Sequence, residues 1–321
     1  MQTRIGTSID TAARLLNNGE VVGVPTETVY GLAGNALDST AVARLFEVKE
    51  RPFFDPLIIH LSEKAALERY ARQIPSTAWQ LIDIFWPGPL TIVLPKRSLI
   101  PNIVTSGLPT AGFRMPNHPV MMALLQQLDF PLAAPSANIF TRLSPTRAEH
   151  VMEQLSGRIP YILDGGPCKV GVESTIIKIS PEGDRLWILR PGGISQESLE
   201  AVAGIPAEHA SNDTIQAPGQ FKRHYAPRPP LQMVDNLWQW IMQHPPNATT
   251  ALVAFQSIPF HHPHLYVLSP AGRLDEAAAR LFDILHHIEQ LPHIQQIIAE
   301  KVPPHGLGVA INDRLQRAAH S

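Results

Sequence analysis

The sequence predicts an α/β protein of two domains, and three observations carry that expectation. Short apolar runs alternate with helix-periodic segments over the first two hundred residues. The periodicity stops near Ile205, in a stretch rich in Pro, Ala and polar residues that reads as a linker. A second, shorter alternation then fills the remainder. At 321 residues the chain has room for two domains of ~150 residues each. The boundaries expected are 1–205 for the first domain, 206–230 for the linker and 231–321 for a small C-terminal α/β domain.

In the first domain "TSIDTAARLLNNG" has a polar start, Leu15 and Leu16 on one face and Gly19 as a stop, so it reads as a helix. "EVVGVP" is a strand, and "DSTAVARLFEVKE" a helix expected to be capped by Ser39. "PLIIHL" is a buried strand, "STAWQLIDIFWPG" a helix ended by Pro87 and Gly88, and "LTIVLP" a strand. "TAGFRMP" and "FPLAAP" are short strands around the helix "HPVMMALLQQL"; "IPYILD", "STIIKIS" and "RLWILRPG" are three more strands. After the linker, "LQMV", "TALVAF", "LYVL" and "IQQIIAE" alternate with the helices "NLWQWIMQH", "GRLDEAAARLFDILHHIEQL" and "GVAINDRLQRAA". The 31 prolines, about twice the ordinary ~5%, sit mostly at element ends and suggest rigid loops.

Composition excludes several classes. Residues 1–205 carry 18 Lys+Arg against 19 Asp+Glu, and the rest 8 against 9, so neither part has the basic excess of a protein that grips phosphodiester backbones. No strong direct nucleic-acid binding is expected, and no membrane partner, because no run approaches 18 apolar residues. With no apolar leader at the N-terminus, the expected location is cytoplasmic. A single cysteine, Cys168, rules out an intramolecular disulfide and a cysteine-rich zinc site. There is no phosphate loop, no dinucleotide fingerprint and no nucleophile elbow. "FHHPH" at 260–264 lies in a proline-broken loop without a nearby carboxylate or cysteine, and reads as solvated loop rather than metal site.

A different pattern points to chemistry: short polar motifs at the ends of apolar strands. They are "PTETVYGL", "VKERP", "FRMPNHP", "APSAN", "VESTII" and "LRPGG". Polar groups gathered at strand ends form the ligand crevice of α/β sheets. Lys49, Arg51, Arg114 and Arg190 supply cations; Thr26, Ser136, Asn138, Ser144 and Ser174 supply neutral hydrogen bonds. Any one of the arginines could equally belong to a surface ion pair. Four cations on proline- or glycine-stiffened loops suit a small anion with several phosphates.

On these motifs the chain resembles the YrdC-type family of threonylcarbamoyl-AMP synthases in its long, two-domain form. The signature is Lys-x-Arg with a later Ser-x-Asn, here Lys49, Arg51, Ser136 and Asn138. "PTETVYGL", "WPGPLT", "RMPNHP", "APSAN", "GVEST" and "LRPGG" follow in order over residues 8–230, and "HGLGVAINDRLQRA" resembles the end of the family's C-terminal domain. The resemblance implies a YrdC-like twisted mixed sheet with a concave active-site face, and a Rossmann-like second domain. It implies conversion of L-threonine, bicarbonate and ATP, with Mg2+, to threonylcarbamoyl-adenylate and pyrophosphate. The product would feed a tRNA threonylcarbamoyl transferase that modifies adenosine beside the anticodon.

By resemblance Lys49, Arg51, Ser136 and Asn138 are catalytic. Thr26, His60, Arg114, Ala134 and Ser174 form the threonine pocket, with Arg114 clamping the carboxylate bidentately. Lys49, Arg51, Thr110, Ser136, Ser144, Arg190 and Tyr225 contact ATP, and Tyr30 and Gly31 shape the turn. By spacing alone His60 could as well be a core histidine ending its strand. Asp55 departs from the family, which usually has Asn there, and a carboxylate near phosphates needs Mg2+ or Lys49 beside it. "APGQFKRHYAP", 217–227, is expected to be a lid over the cleft, mobile without ligands, with Tyr225 on the nucleotide side. Two alternatives remain at this point: an RNA-binding module of the same fold without synthase activity, and a carbamoyltransferase of the hydrogenase-maturation type. The latter carries cysteine-rich zinc modules that one cysteine excludes.

Overall fold

The computed structural model describes residues 2–210 and 224–319. The first domain runs β1 (Arg4–Gly6), α1 (Ile9–Asn17), β2 (Val22–Val24), β3 (Gly31–Asn35), α2 (Ser39–Lys49), β4 (Ile58–His60), α3 (Leu67–Tyr70), α4 (Ser76–Phe85), β5 (Leu90–Pro95) and β6 (Thr110–Arg114). It continues with α5 (Pro119–Gln126), β7 (Leu132–Ala133), α6 (Ala148–Leu155), β8 (Tyr161–Leu163), β9 (Thr175–Ile179), β10 (Leu186–Arg190), α7 (Gln196–Ala203) and β11 (Ala207–His209). Among the described residues these strands form one mixed sheet of eleven, ordered β1-β8-β2-β3-β7-β4-β6-β5-β9-β10-β11. Leu16, Met121, Leu124 and Leu132 pack in one apolar cluster; Leu45, Phe46, Leu81, Ile92 and Phe113 belong to a larger one.

The second domain comprises β12 (Leu231–Val234), α8 (Leu237–Gln243), β13 (Thr250–Ala254), β14 (Leu265–Val267), α9 (Leu274–Glu289), β15 (Gln296–Glu300) and α10 (Leu307–Ala319). Its four strands are all parallel, in the order β12-β15-β13-β14. Parallel strands need crossover connections: α8 links β12 to β13, α9 links β14 to β15, and α10 follows the last strand. No helix among the described residues is long and apolar enough to cross a membrane.

Several sequence expectations change. "GLAGN", from Gly31 onward, is strand β3, pairing antiparallel with β2 through Val24↔Gly31, so the polar motif before it is a hairpin loop. Tyr30 is fully buried, its hydroxyl donating to the Gly166 carbonyl at 2.8 Å. The α2 cap is Asp38, whose carboxylate accepts from the Thr40 N–H at 2.8 Å, because Ser39 already has helical backbone. β11 pairs with β10, so the first sheet extends into the stretch read as linker.

The two domains share an apolar core: Val29, Leu143 and Val172 pack with Ala278, Leu281 and Phe282 of α9. Gly171 permits this approach. Its φ is +76°, and a Cβ there would lie 2.3 Å from the Ala278 carbonyl oxygen. Arg142 pairs with Glu289 at 2.6 Å and Arg147 with Asp283 at 2.5 Å across the same boundary.

Candidate active site

Strand pairing brings the polar motifs together. β4 and β6 run parallel with His60 opposite Arg114, while β7 runs antiparallel to β4 with Leu132 opposite His60, so the chain leaves β7 back along β4 and the Ala134 N–H donates to the Ile58 carbonyl at 3.1 Å. β10 returns antiparallel along β9, which places Arg190 against Ser174 and Ile176. The register of that pair shifts between Ile188 and Arg190, a bulge that re-aims the arginine. Gly192 lets the turn after β10 lie on residues 173–175, where a Cβ would meet the Glu173 carbonyl oxygen at 2.3 Å.

The result is a cleft of about 550 Å3, counting the part open to solvent. All five residues expected on the threonine side line it: Thr26, His60, Arg114, Ala134 and Ser174. Of the nucleotide set, Arg51, Ser136, Arg190 and Tyr225 line it as well. Thr110, Asn138, Ser144 and Lys49 do not belong to the lining. Thr110 begins β6 and Arg114 ends it, about 13 Å apart at ~3.3 Å per residue. Ser144 is fully buried behind the wall and donates to Glu173 Oε1 at 2.6 Å.

Lys49 is the main departure from expectation. Its ammonium is buried and donates to the backbone carbonyls of Ser136 and Asn138, both at 2.6 Å. Burial pushes its pKa well below the usual range, the neighbouring Arg51 charge adds to that, and Asp55 opposes it. In this arrangement Lys49 holds the "PSAN" turn, and Asn138 reinforces it by donating to the Arg142 carbonyl at 2.9 Å. Asp55 faces neither solvent nor an open cation. It is paired with Arg51 at 2.8 Å, although burial raises its pKa against the pull of Arg51, Lys49 and Arg190.

Arg114 is committed on one edge. Its Nη2 pairs with Glu27 Oε1 at 2.7 Å and donates to the Thr28 hydroxyl at 2.9 Å, while Nε donates to the Gly88 carbonyl at 3.3 Å. Nη1 makes no hydrogen bond among the described residues, so the two-pronged clamp expected of Arg114 narrows to this nitrogen unless Thr28 yields. The Thr26 hydroxyl closes its own loop, donating to the Val29 carbonyl at 2.6 Å, and Ser174 Oγ bonds Thr91 Oγ1 at 2.8 Å. His60 is buried with an unpartnered Nδ1; burial first, then the Arg114 charge, holds its pKa at about 3. It is a neutral imidazole.

Tyr225 and His224 cover the cleft from the other domain's side, both buried. The Tyr225 hydroxyl and His224 Nδ1 have no partner among the described residues, and Tyr225 sits at φ +61°, a conformation costly for a non-glycine residue. Lys222 and Arg223 of the expected lid lie outside the described residues. Of the titratable residues that line the cleft, Glu173, in "GVEST", and His224 were given no site role from sequence. Behind Glu173 stands Arg314, a cation on the buried face of α10 among Ala310, Ile311, Leu315 and Ala318. Its place in that apolar period was a sequence signal.

Among the described residues the lining offers three guanidinium groups, hydroxyls, a neutral His60 and one carboxylate, Glu173. Cys168 is buried, its thiol pushed up by burial, and it does not line the cleft. The cleft can therefore hold anions together.

Comparison with known proteins agrees with this geometry. A family model described as "Telomere recombination" (Sua5_yciO_yrdC) matches residues 14–192, and "Threonylcarbamoyl-AMP synthase, C-terminal domain" matches 194–320. A threonylcarbamoyl-AMP synthase of Pyrococcus abyssi is 39% identical, covering 96% of this chain and 93% of its own. One of Bacillus subtilis is also 39% identical, covering 96% and 92%. The crystal structure of P. abyssi Sua5 complexed with L-threonine superposes with a TM-score of 0.89 at 38% identity, covering 99% of this chain and 97% of that one. The chain belongs to the threonylcarbamoyl-AMP synthase family, in the form that carries the additional C-terminal domain.

Proposed function

We propose that this chain makes threonylcarbamoyl-adenylate and pyrophosphate from L-threonine, bicarbonate and ATP, for use by a tRNA threonylcarbamoyl transferase. The observation that carries the reading is the convergence of Arg51, Arg114 and Arg190 on one buried cleft beside a neutral His60. Bicarbonate takes up a proton to give CO2 and water; threonine's neutral amine then captures the CO2 carbon and gives up a proton, so the carbamate forms with net release of water alone. A carbamate oxygen then attacks the α-phosphorus, and the bond to the β-phosphate bridging oxygen breaks to release pyrophosphate. Neither step needs a side-chain nucleophile. Catalysis comes from holding two anions in contact and stabilising charge on the phosphates.

In this reading Arg114 takes the threonine carboxylate through Nη1, backed by Glu27. His60, too weak a base to strip the ammonium, serves by hydrogen bonding to threonine, and Thr26, Ala134 and Ser174 shape the pocket. Arg51 and Arg190 face the nucleotide with Tyr225, while Lys49 and Asn138 act by fixing the Ser136 turn. Thr110 and Ser144 remain nucleotide contacts only if ATP reaches beyond the cleft described. Mg2+ enters as the counter-ion of ATP. Among the described residues no group of three or more His, Cys, Asp or Glu side chains is placed to hold a metal, which suits an ion carried by phosphate oxygens and water. The test is pyrophosphate release from ATP. It should require threonine and bicarbonate together, and release that ignores either one refutes the reading.

A further inference from the structure

Glu173 poses an electrostatic problem for any anionic ligand. Among the described residues it is the one carboxylate lining the cleft, otherwise walled by Arg51, Arg114 and Arg190. It is buried, and burial works against its charge. Arg314, Arg190 and the Ser144 hydroxyl outweigh that cost and hold its pKa at about 2, so it stays ionised. An uncompensated carboxylate there would repel a polyphosphate and compete with it for Arg190.

The compensation comes from the other domain. Arg314 of α10 is 1% exposed and donates from Nε to Glu173 Oε2 at 2.7 Å. Nη2 donates to the Pro191 carbonyl at 2.9 Å, in the turn that follows Arg190, and Nη1 to Asp313 Oδ2 at 2.6 Å. The guanidinium carbon lies 5.1 Å from the centroid of the Tyr225 ring. Each edge of the planar group is thus used, which a lysine could not reproduce.

We propose that Arg314 is a positioning residue of the active site: it pins and neutralises Glu173, so that the wall facing an anionic ligand keeps its positive character. It touches neither reacting group. The C-terminal domain is then part of the nucleotide site rather than an appendage, and this proposal rests on the ATP reading above.

The test compares steady-state KM for ATP and for threonine in Arg314→Met, in the double variant Glu173→Gln/Arg314→Met and in wild type. Binding of inorganic pyrophosphate, followed by calorimetry, serves as a readout free of turnover. Arg314→Met should raise the ATP KM by at least ~30-fold, the size of leaving one buried charge unpaired, and move the threonine KM far less. Removing the Glu173 charge as well should recover at least ~10-fold of that loss, in KM and in pyrophosphate affinity. Should Arg314→Met fail to fold, Arg314→Gln, of polar and smaller character, takes its place in the same comparison. If neither folds, pyrophosphate affinity in the double variant decides, a loss of ~30-fold or more overturning the proposal. Equal rises in both KM values, or no recovery in the double variant, also overturn it. A wild-type protein without threonine-dependent pyrophosphate release would instead sink the functional reading, which separates the two failures.

Discussion

Two buried arginine–glutamate pairs support the cleft, and they are built differently. Arg114–Glu27 joins the end of β6 to the β2–β3 loop inside the first domain, its side chains 5% and 6% exposed. Arg314–Glu173 joins α10 to the loop before β9 across the domain boundary, at 1% and 7%. Breaking either pair strands a buried charge, typically a loss of about 3–5 kcal/mol. What differs is the dependence. The first pair needs only the sheet that positions it; the second also needs the two domains to be docked.

The comparison breaks most sharply at Arg114. Arg114→Ala should weaken threonine binding by about 2–5 kcal/mol and ATP binding much less, because the carboxylate loses a desolvated partner. Calorimetric losses of equal size for both ligands would show that the pair is scaffold for the whole cleft.

Acid should act on the cross-domain side. His150 of α6 and His286 of α9 stack at 3.9 Å between ring centroids, beside Asp283, Arg147, Glu149 and Arg142, and His286 Nε2 lies 3.1 Å from the Ser144 carbonyl. Burial holds His150 at about 4 and His286 at about 3, the latter helped by His150. Both therefore stay neutral in the fold at pH values where the unfolded chain, with pKa near 6.5, takes up protons. Their contribution to stability is complete above pH 6.5 and disappears as pH falls towards 4 and 3. For His150 alone it amounts to about 3 kcal/mol. Denaturant melts from pH 7 to 4 should show this fall, and His286→Gln should flatten it. An unchanged slope in that variant would mean that the stacked pair carries none of the acid sensitivity.

The smallest effect is expected at Asp55. Asp55→Asn keeps the shape and an acceptor oxygen beside Arg51, and matches the residue the family usually has there, so turnover should change by no more than about threefold, well under 1.4 kcal/mol. A hundredfold loss, measured at saturating ATP and Mg2+, would assign the carboxylate to the metal instead.

Legibility differed between the domains for physical reasons. Every strand and helix of the C-terminal domain could be read, because buried parallel strands such as "TALVAF" are continuous apolar runs and their crossover helices are amphipathic. In the first domain β3 escaped: "GLAGN" is nearly all small residues, buried on both faces, and shows neither alternation nor β-branched side chains. The α7 helix carried a Ser195 cap and a Gly204 stop, but at eight residues it offered little period to detect. The strand-end cations and hydroxyls were visible as motifs, and most of them meet in the cleft.

The sequence by itself determined the α/β class, the two-domain order and the set of polar residues at strand ends, since these depend on local periodicity and residue type. Tertiary structure decided which of those residues reach the cleft. Lys49 and Arg51 are two residues apart, yet packing turns the Lys49 ammonium onto backbone carbonyls and leaves Arg51 in the lining. Glu173 and Arg314 are 141 residues apart and meet at 2.7 Å only because α10 docks on the first domain. Burial and long-range pairing set the charge each group presents, and neither is a property of the local chain.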